Sequence, residues 1–248
     1  MDNSGAMIAL FSDFGLEGPY LGQIKAVLCL EAPTTPVIDL FADAPVYDPR
    51  ASAYLLAAYV PAFPQGTIFL CVVDPGVGSG ERKVAVINVD GRWFVGPDNG
   101  LFNIVAMRGT SVRWWDVSWC ADDLSATFHG RDLFAPLAAR LARGQAPPGQ
   151  QQEVRQRLFS DWPQDYWQII YIDHFGNAMT GIRAGFLPRA RRLVVHGHRF
   201  GYARTYSDVS PGQGFWYENA NGLVEIAINQ GRAAECCSLT LGDTVAPG

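Results

Sequence analysis

A chain of 248 residues has room for one large domain or two smaller ones, and 48% hydrophobic with 17% charged residues is the composition of a well-packed soluble protein. A net charge of −5 without a basic tract argues against nucleic acid or an anionic membrane as partner, and no apolar run approaches the ~20 residues that span a bilayer. Five scattered cysteines without metal-ligand spacing, and a polar N-terminus without the regions of a signal peptide, lead us to expect free thiols in the cytoplasm.

In chain order, Met7–Phe11 is an apolar run broken by Ser12-Asp13-Phe14-Gly15, which predicts a buried strand entering a loop. Helical spacing of apolar residues follows over Tyr20–Leu30, then a strand over Pro36–Leu40. Pro49–Tyr59 reads as a helix with Asp48 at its N-cap. Thr67–Val73 is a third strand, entering the glycine-rich loop Asp74-Pro75-Gly76-Val77-Gly78-Ser79-Gly80 before Glu81 and Arg82. Lys83–Val89 and Trp93–Val95 form a hairpin around Asp90-Gly91. Leu101–Met107 and Leu133–Arg143 are helices, the second after the knot Thr127-Phe128-His129-Gly130-Arg131-Asp132. The alternation predicts an α/β, Rossmann-like N-terminal domain with a mainly parallel sheet over 7–150.

The stretch Gly144–Gln152, rich in Gly, Pro and Gln, reads as an interdomain linker. Beyond it come short strands, Gln168–Ile172, Arg192–Val195, Gly214–Tyr217, Leu223–Ile228 and Ser238–Leu241. They predict a smaller C-terminal β-barrel domain over 165–246.

Three polar loops, at Asp13, Asp74 and Asp98-Asn99, follow apolar strands, and in a parallel sheet ligands bind beyond the carboxyl ends of the strands. The glycine-rich loop has no Lys-Ser/Thr pair and opens no helix, so it does not fit a phosphate cradle. Its glycines suit a tight turn or close approach of the backbone to a ligand. Asp74, Arg82 and His129 would together place an acid, a cation and an imidazole about one water. Taken one at a time, each is equally well a turn former or a structural residue. The four histidines show no ligand pairing, and no metal is expected. In the second half, Asp173-His174-Phe175-Gly176-Asn177, Tyr206 and Asn219-Ala220-Asn221 set aromatics beside carboxylate and amide groups, as a nucleoside site would; core aromatics and turn formers account for them equally.

These strings, in this order, resemble the S-adenosylmethionine (SAM) hydroxide adenosyltransferase family, whose relatives include SAM-dependent fluorinating and chlorinating enzymes. They are Ser12-Asp13-Phe14-Gly15, Val73–Gly78 with Arg82, Gly96–Gly100, Phe128–Asp132, Asp173–Asn177, and Asn219–Ala227 with Gly231–Ala234. They run nearly the length of the chain. The resemblance implies hydrolysis of SAM to adenosine and L-methionine, with Asp74, Arg82 and His129 serving the water. It implies no cofactor, and a homotrimer with SAM between one subunit's N-terminal domain and a neighbour's C-terminal domain. Asp13 takes the place of the ribose-diol ligand. Tyr47 takes that of an aromatic lining the pocket, with Phe128 counted among the substrate contacts. Asp173 and Asn177 stand where methionine's amino and carboxylate groups are held, Phe175 and Tyr206 where aromatics flank adenine, and Asn219, Ala220 and Asn221 where backbone groups approach it. Two positions depart from the pattern: Gly80 lengthens the Asp74-to-Arg82 loop, and Gly181 stands where the family often has Asn. The halogenating relatives lack the Asp74 and His129 side chains and carry Ser where this chain has Gly130. The alternatives are a SAM or adenosine binding module with incidental turnover, and a 5′-halogenating sibling.

Overall fold

The computed structural model describes residues 7–79, 84–119 and 124–248. The chain divides into two compact units. The first runs to Leu56 and again from Phe63 to Ser160, and the second takes Ala57–Ala62 and Asp161–Gly248.

In the first unit, β1 (Ile8–Ser12), α1 (Tyr20–Glu31), β2 (Val37–Phe41), α2 (Pro49–Tyr59, its last turn grouping with the second unit) and β3 (Ile68–Val72) follow in order. Then come β4 (Val84–Val89), β5 (Arg92–Pro97), α3 (Asn103–Arg108), β6 (Val112–Val117), α4 (Ala135–Ala142) and β7 (Gly149–Gln152). The sheet order is β2-β1-β3-β5-β4-β6-β7. β2, β1, β3 and β5 run parallel, whereas β4, β6 and β7 are joined by antiparallel pairings. The sheet is therefore mixed rather than mainly parallel. The reversal is local in origin: Asp90 and Gly91 take φ 48° and 82°, the backbone of a two-residue hairpin turn that obliges β4 and β5 to run antiparallel.

β1 and β3 are buried along their whole length, which is why they read as unbroken apolar runs. On one face Ile8, Leu10, Ile68 and Leu70 pack with Ile24 and Leu28 of α1 and Leu137 and Leu141 of α4. Phe69 stacks on Phe94 at 4.9 Å between centroids, and Phe94 in turn meets Phe102. Asp48 caps α2, its Oδ1 accepting the Ala51 N–H at 2.9 Å. The stretch Gly144–Gln152 is not a free linker. Gly149–Gln152 pairs with β6 as an edge strand, and a Cβ on Gly149 would lie 1.9 Å from the Asp116 carbonyl, so only glycine allows that approach.

The second unit holds β8 (Tyr166–Ile172), β9 (Ala178–Arg183), β10 (Leu193–Val195), β11 (His198–Tyr202), β12 (Gly214–Glu218), β13 (Leu223–Ile228), the short α5 (Ala233–Cys236) and β14 (Ala246–Pro247). The order is β14-β10-β11-β12-β13-β9-β8, and β11–β12 is a parallel pairing. Just before β14, the Val245 N–H reaches the Trp167 carbonyl and Thr244 bridges Gln168, so the tail that pairs with one edge strand also binds the other. The sheet is thereby nearly closed into a barrel. Trp216, Phe200, Ile169, Ile226 and Leu239 fill its interior. Truncating Trp216, which is fully buried, to Ala is expected to cost about 3–5 kcal/mol, read as a drop in denaturant midpoint.

Ser238–Leu241 is not the strand its alternation suggests. Ser238 adopts φ 53° after α5, and the Leu239 N–H returns to the Ala234 carbonyl at 2.8 Å, a helix C-cap in which a left-handed residue ends the helix. Among the described residues no helix is long and apolar enough to cross a membrane, and no group of three or more His, Cys, Asp or Glu could hold a metal ion. The four described cysteines form no disulfide.

Candidate functional sites in the two units

In the parallel half of the first sheet, β1 leads to β2 on one side and β3 lies on the other. The strand order thus reverses between β1 and β3, where open α/β sheets leave a crevice for ligands. Asp13 follows β1 and Asp74 follows β3, and both line a cavity of about 310 Å³ at that point. Tyr47, Phe128 and His129 line the same cavity.

The exits are tied together by backbone bonds. The Asp13 N–H reaches the Val72 carbonyl at 3.4 Å, the Gly15 N–H the Ala42 carbonyl at 2.6 Å and the Ala44 N–H the Ser12 carbonyl at 3.0 Å. Asp13 Oδ2 accepts the N–H of Tyr47 at 3.1 Å; Tyr47 is in the left-handed region at φ 59° and is 75% exposed. Burial raises the Asp13 pKa, opposed by the Tyr47 and Asp13 N–H groups. Asp74 sits on the turn that closes with the Val77 N–H on its own carbonyl, and both its carboxylate oxygens are shielded from solvent. Arg82 lies outside the described residues.

His129 stands at the N-cap of a single wide turn, Gly130–Phe134, that leads into α4. Arg131 and Asp132, just beyond it, act as scaffold. Arg131 bonds Asp132 at 2.5 and 2.9 Å and reaches Gln23 of α1 at 2.8 Å, with its guanidinium 5.1 Å from the Phe128 ring. Asp132 accepts the Ser125 N–H at 3.0 Å. The bond from Arg131 is the chief reason its carboxyl is held below the usual range, and His129 acts in the same sense. Phe14, Tyr20 and Phe128 form a cluster with ring centroids 5.4–6.0 Å apart, Phe128 meeting the other two edge-on. A Cβ on Gly130 would meet Phe14 and Ile24 at 3.3 Å, so a side chain there crowds this wall.

Gly78 is a positioning residue whose partner the sequence does not disclose. Its φ is +83°, and a Cβ would fall 2.6 Å from the Ala126 carbonyl oxygen. Here the loop after β3 touches the loop before His129, holding Asp74 and His129 to one cavity. Gly78→Ala is expected to cost about 1–3 kcal/mol and to lower turnover together with thermal stability; unfolding and rate measurements on that variant check it. Asp98 and Asn99 do not enter the cavity. Asn99 Nδ2 bonds the Val73 carbonyl at 2.9 Å, bracing Asp74 from behind, and Asp98 pairs with Arg157 at 3.4 Å.

In the second unit, the β8–β9 loop carries a second cavity of about 550 Å³, lined by Phe175, Asn177, Tyr206 and Arg232 among others. Asp173 closes this loop. Its Oδ1 accepts the Asn177 N–H at 2.8 Å and its Oδ2 the Asn177 amide at 3.0 Å. Gly176, at φ +79°, leaves room for Arg232, whose Cβ would lie 2.8 Å from a Cβ there. Asn177 also donates to Tyr206 Oη at 3.0 Å. Asn219, Ala220 and Asn221 form the β12–β13 turn and are not among the residues lining either cavity. Gly181 has a packing reason: a Cβ would lie 2.8 Å from the Tyr166 carbonyl oxygen.

Two residues the sequence did not single out complete this group, Tyr217 and Glu225. They are opposite one another on β12 and β13. Tyr217 Oη donates to Glu225 Oε1. Burial raises the Glu225 pKa, against the opposing pull of the Tyr217 and Asn219 bonds. The Tyr217 hydroxyl is likewise raised, by burial first and by Glu225 next.

Both units match known proteins. The model of the SAM hydroxide adenosyltransferase N-terminal domain matches residues 8–151, and that of the C-terminal domain matches 167–246. The chain belongs to the SAM hydroxide adenosyltransferase family. A relative from Thermus thermophilus, (R)-S-adenosyl-L-methionine hydrolase, is 38% identical over 95% of this chain and 96% of its own. One of the same name from Salinispora arenicola is also 38% identical, over 95% of each. More distantly, a fluorinase from an Actinoplanes species is 24% identical over 98% of this chain and 97% of its own. Among solved structures, an uncharacterized conserved protein from Thermotoga maritima superposes with a TM-score of 0.84 at 29% identity, over 96% of this chain and 98% of its own. A conserved hypothetical protein from Thermus thermophilus gives 0.78 at 34%, over 98% and 100%.

Proposed function

We propose that this member of the family hydrolyses SAM to adenosine and L-methionine by in-line attack of water on C5′. The observation that carries the reading is that Asp74 and His129 share the cavity at the strand-order reversal with Asp13. The parallel half of the sheet serves as a Rossmann-like nucleoside edge. Asp13 holds the ribose diol, with Tyr47 and Phe128 as aromatic neighbours. Asp173 and Asn177 hold the methionine end. Phe175 and Tyr206 flank adenine, near the backbone of Asn219, Ala220 and Asn221.

In the step itself the C5′–O bond forms as the C5′–S bond breaks, and sulfur takes the electron pair to become the thioether of methionine. Neutral water is a poor nucleophile, so the site must orient it and take a proton. Asp74 and His129 do this, and Arg82 supplies a positive field for the developing hydroxide. Holding water in line with the C5′–S bond provides the entropic part. No cofactor takes part. The protein works as a homotrimer, with SAM between the first unit of one subunit and the second unit of a neighbour. Supporting this are the cavities of the two units and the exposed apolar side chains that line them, Val46 and Tyr47 in one and Phe175 in the other.

Incubating the protein with SAM and separating the products tests the reading. Adenosine and methionine in equal amounts are expected. Adenine, a 5′-halide formed when chloride or fluoride is present, or unchanged SAM would refute it.

A further inference from the structure

Glu225 is the one carboxylate in an otherwise apolar strand, and it is 2% exposed. Strand alternation puts it on the face opposite Ile226, beside Tyr217 and Tyr206 rather than in the barrel interior. A buried carboxylate there needs a reason, because an uncompensated one is costly.

The reason is in the direction of its hydrogen bonds. Asn219 Oδ1 accepts the Asn221 and Leu223 N–H groups, both at 3.0 Å, so its amide nitrogen must face Glu225, where it donates to Oε2 at 2.8 Å. Tyr217 donates to the other oxygen, Oε1. With its proton committed, Tyr217 accepts from Tyr206, 3.1 Å away. Tyr206 then accepts from Asn177 Nδ2 at 3.0 Å. The Asp173 carboxylate takes the same amide group at 3.0 Å. Along Asn177, Tyr206 and Tyr217 the bonds run one way, from the cavity wall inward to Glu225. The Asn177 nitrogen is thereby committed inward, and the carbonyl oxygen is what its side chain has to offer a ligand.

We infer that Glu225 is a positioning residue for substrate. As the terminal acceptor of the Asn177–Tyr206–Tyr217 chain, it fixes Asn177 as a hydrogen-bond acceptor toward an N–H group of SAM. The inference rests on the proposed SAM site and adds to it a residue that never touches the ligand. SAM has two N–H-bearing groups, the amino group of adenine and the ammonium of methionine, and these end up on different products.

Two variants test it. Glu225→Gln keeps the shape but offers one acceptor where two are needed. With Asn219 locked by its backbone bonds, the Gln nitrogen meets Tyr217 and opposes the direction of the chain. Tyr217→Phe keeps the ring and cuts the chain. Each is expected to raise KM for SAM about tenfold, the scale of one lost hydrogen bond to a charged or oriented group, with a smaller change in kcat. Titration with adenosine and with L-methionine separately shows which N–H is recognised: about tenfold weaker binding of L-methionine supports the inference with Asn177 at the methionine end as proposed above, and the same loss for adenosine supports it but moves Asn177 to the amino group of adenine. Neither variant should weaken binding further in an Asn177→Ala background, since coupled residues are not additive. Wild-type affinity for SAM and both products, accompanied only by a lower Tm, would overturn the inference, as would full additivity with Asn177→Ala. The hydrolase reading fails separately, if the wild-type protein releases no adenosine.

Discussion

Asp74→Asn and His129→Ala are each expected to lower the turnover of SAM by about 10²–10⁴-fold, the range for a positioned acid or base, while SAM affinity changes little. In the proposed mechanism both groups act on the water and not on the nucleoside, so the loss belongs in kcat. Asn keeps the shape of Asp74 and its place on the turn after β3, but it cannot hold a proton or a negative charge beside the water. His129 is set by the Arg131–Asp132 pair and by Gly78 against the Ala126 carbonyl, so its removal need not move the neighbouring loop. If the two act on one water, the double variant loses scarcely more than either single one, as happens when groups work as a unit. Single-turnover rates with saturating SAM check this. An unchanged rate in either variant would remove that residue from the mechanism.

Asp13→Ala is expected to act differently, weakening SAM binding by about 10–10²-fold, as when a hydrogen-bonded charged acceptor is deleted. Its carboxylate accepts the Tyr47 N–H and has capacity left for the two ribose hydroxyls. The burial that raises its pKa gives the prediction a sign. In the proposed site the ionised form is the one that accepts from the diol, so affinity is expected to fall as pH drops through a pKa above the ordinary Asp value of about 3.9. Asp13→Asn should abolish that acid limb in the pH profile of kcat/KM. Titration calorimetry that finds Asp13→Ala binding SAM as the wild type does would contradict the diol assignment.

Much of this was legible in the sequence, for physical reasons particular to each segment. β1 and β3 are buried on both faces, so they read as apolar runs, and the Asp that follows each marks the exit. Asp90-Gly91 disclosed a hairpin, although its consequence, a sheet only half parallel, needed the pairing of β4 with β6 as well. β7 was hidden because an exposed edge strand of Gly and Gln has no hydrophobic signature. β9 was hidden because Gly181 and Thr180 are chosen by close packing and a hydrogen bond to the Val224 carbonyl. Ser238–Leu241 misled because a helix cap can carry a left-handed Ser where glycine is usual.

The site divides in the same way. Asp13 and Asp74 stand in short polar strings at strand exits and His129 in one that leads into a helix, and those strings are visible in the sequence. Glu225 was visible only as a charge inside the run Leu223–Ile228. Its meaning depends on the register that sets Tyr217 opposite it and on the Asn219 side chain being committed to the backbone. Gly78 was legible as a turn glycine, but the carbonyl it approaches lies in a segment about fifty residues away.

The most direct test of water attack at C5′ is turnover in water enriched in oxygen-18, followed by mass spectrometry of both products. The mechanism predicts one heavy oxygen in adenosine, at the 5′-hydroxyl, and none in methionine. Heavy oxygen in the amino-acid product, or adenosine without it, would place the attack elsewhere and contradict the account.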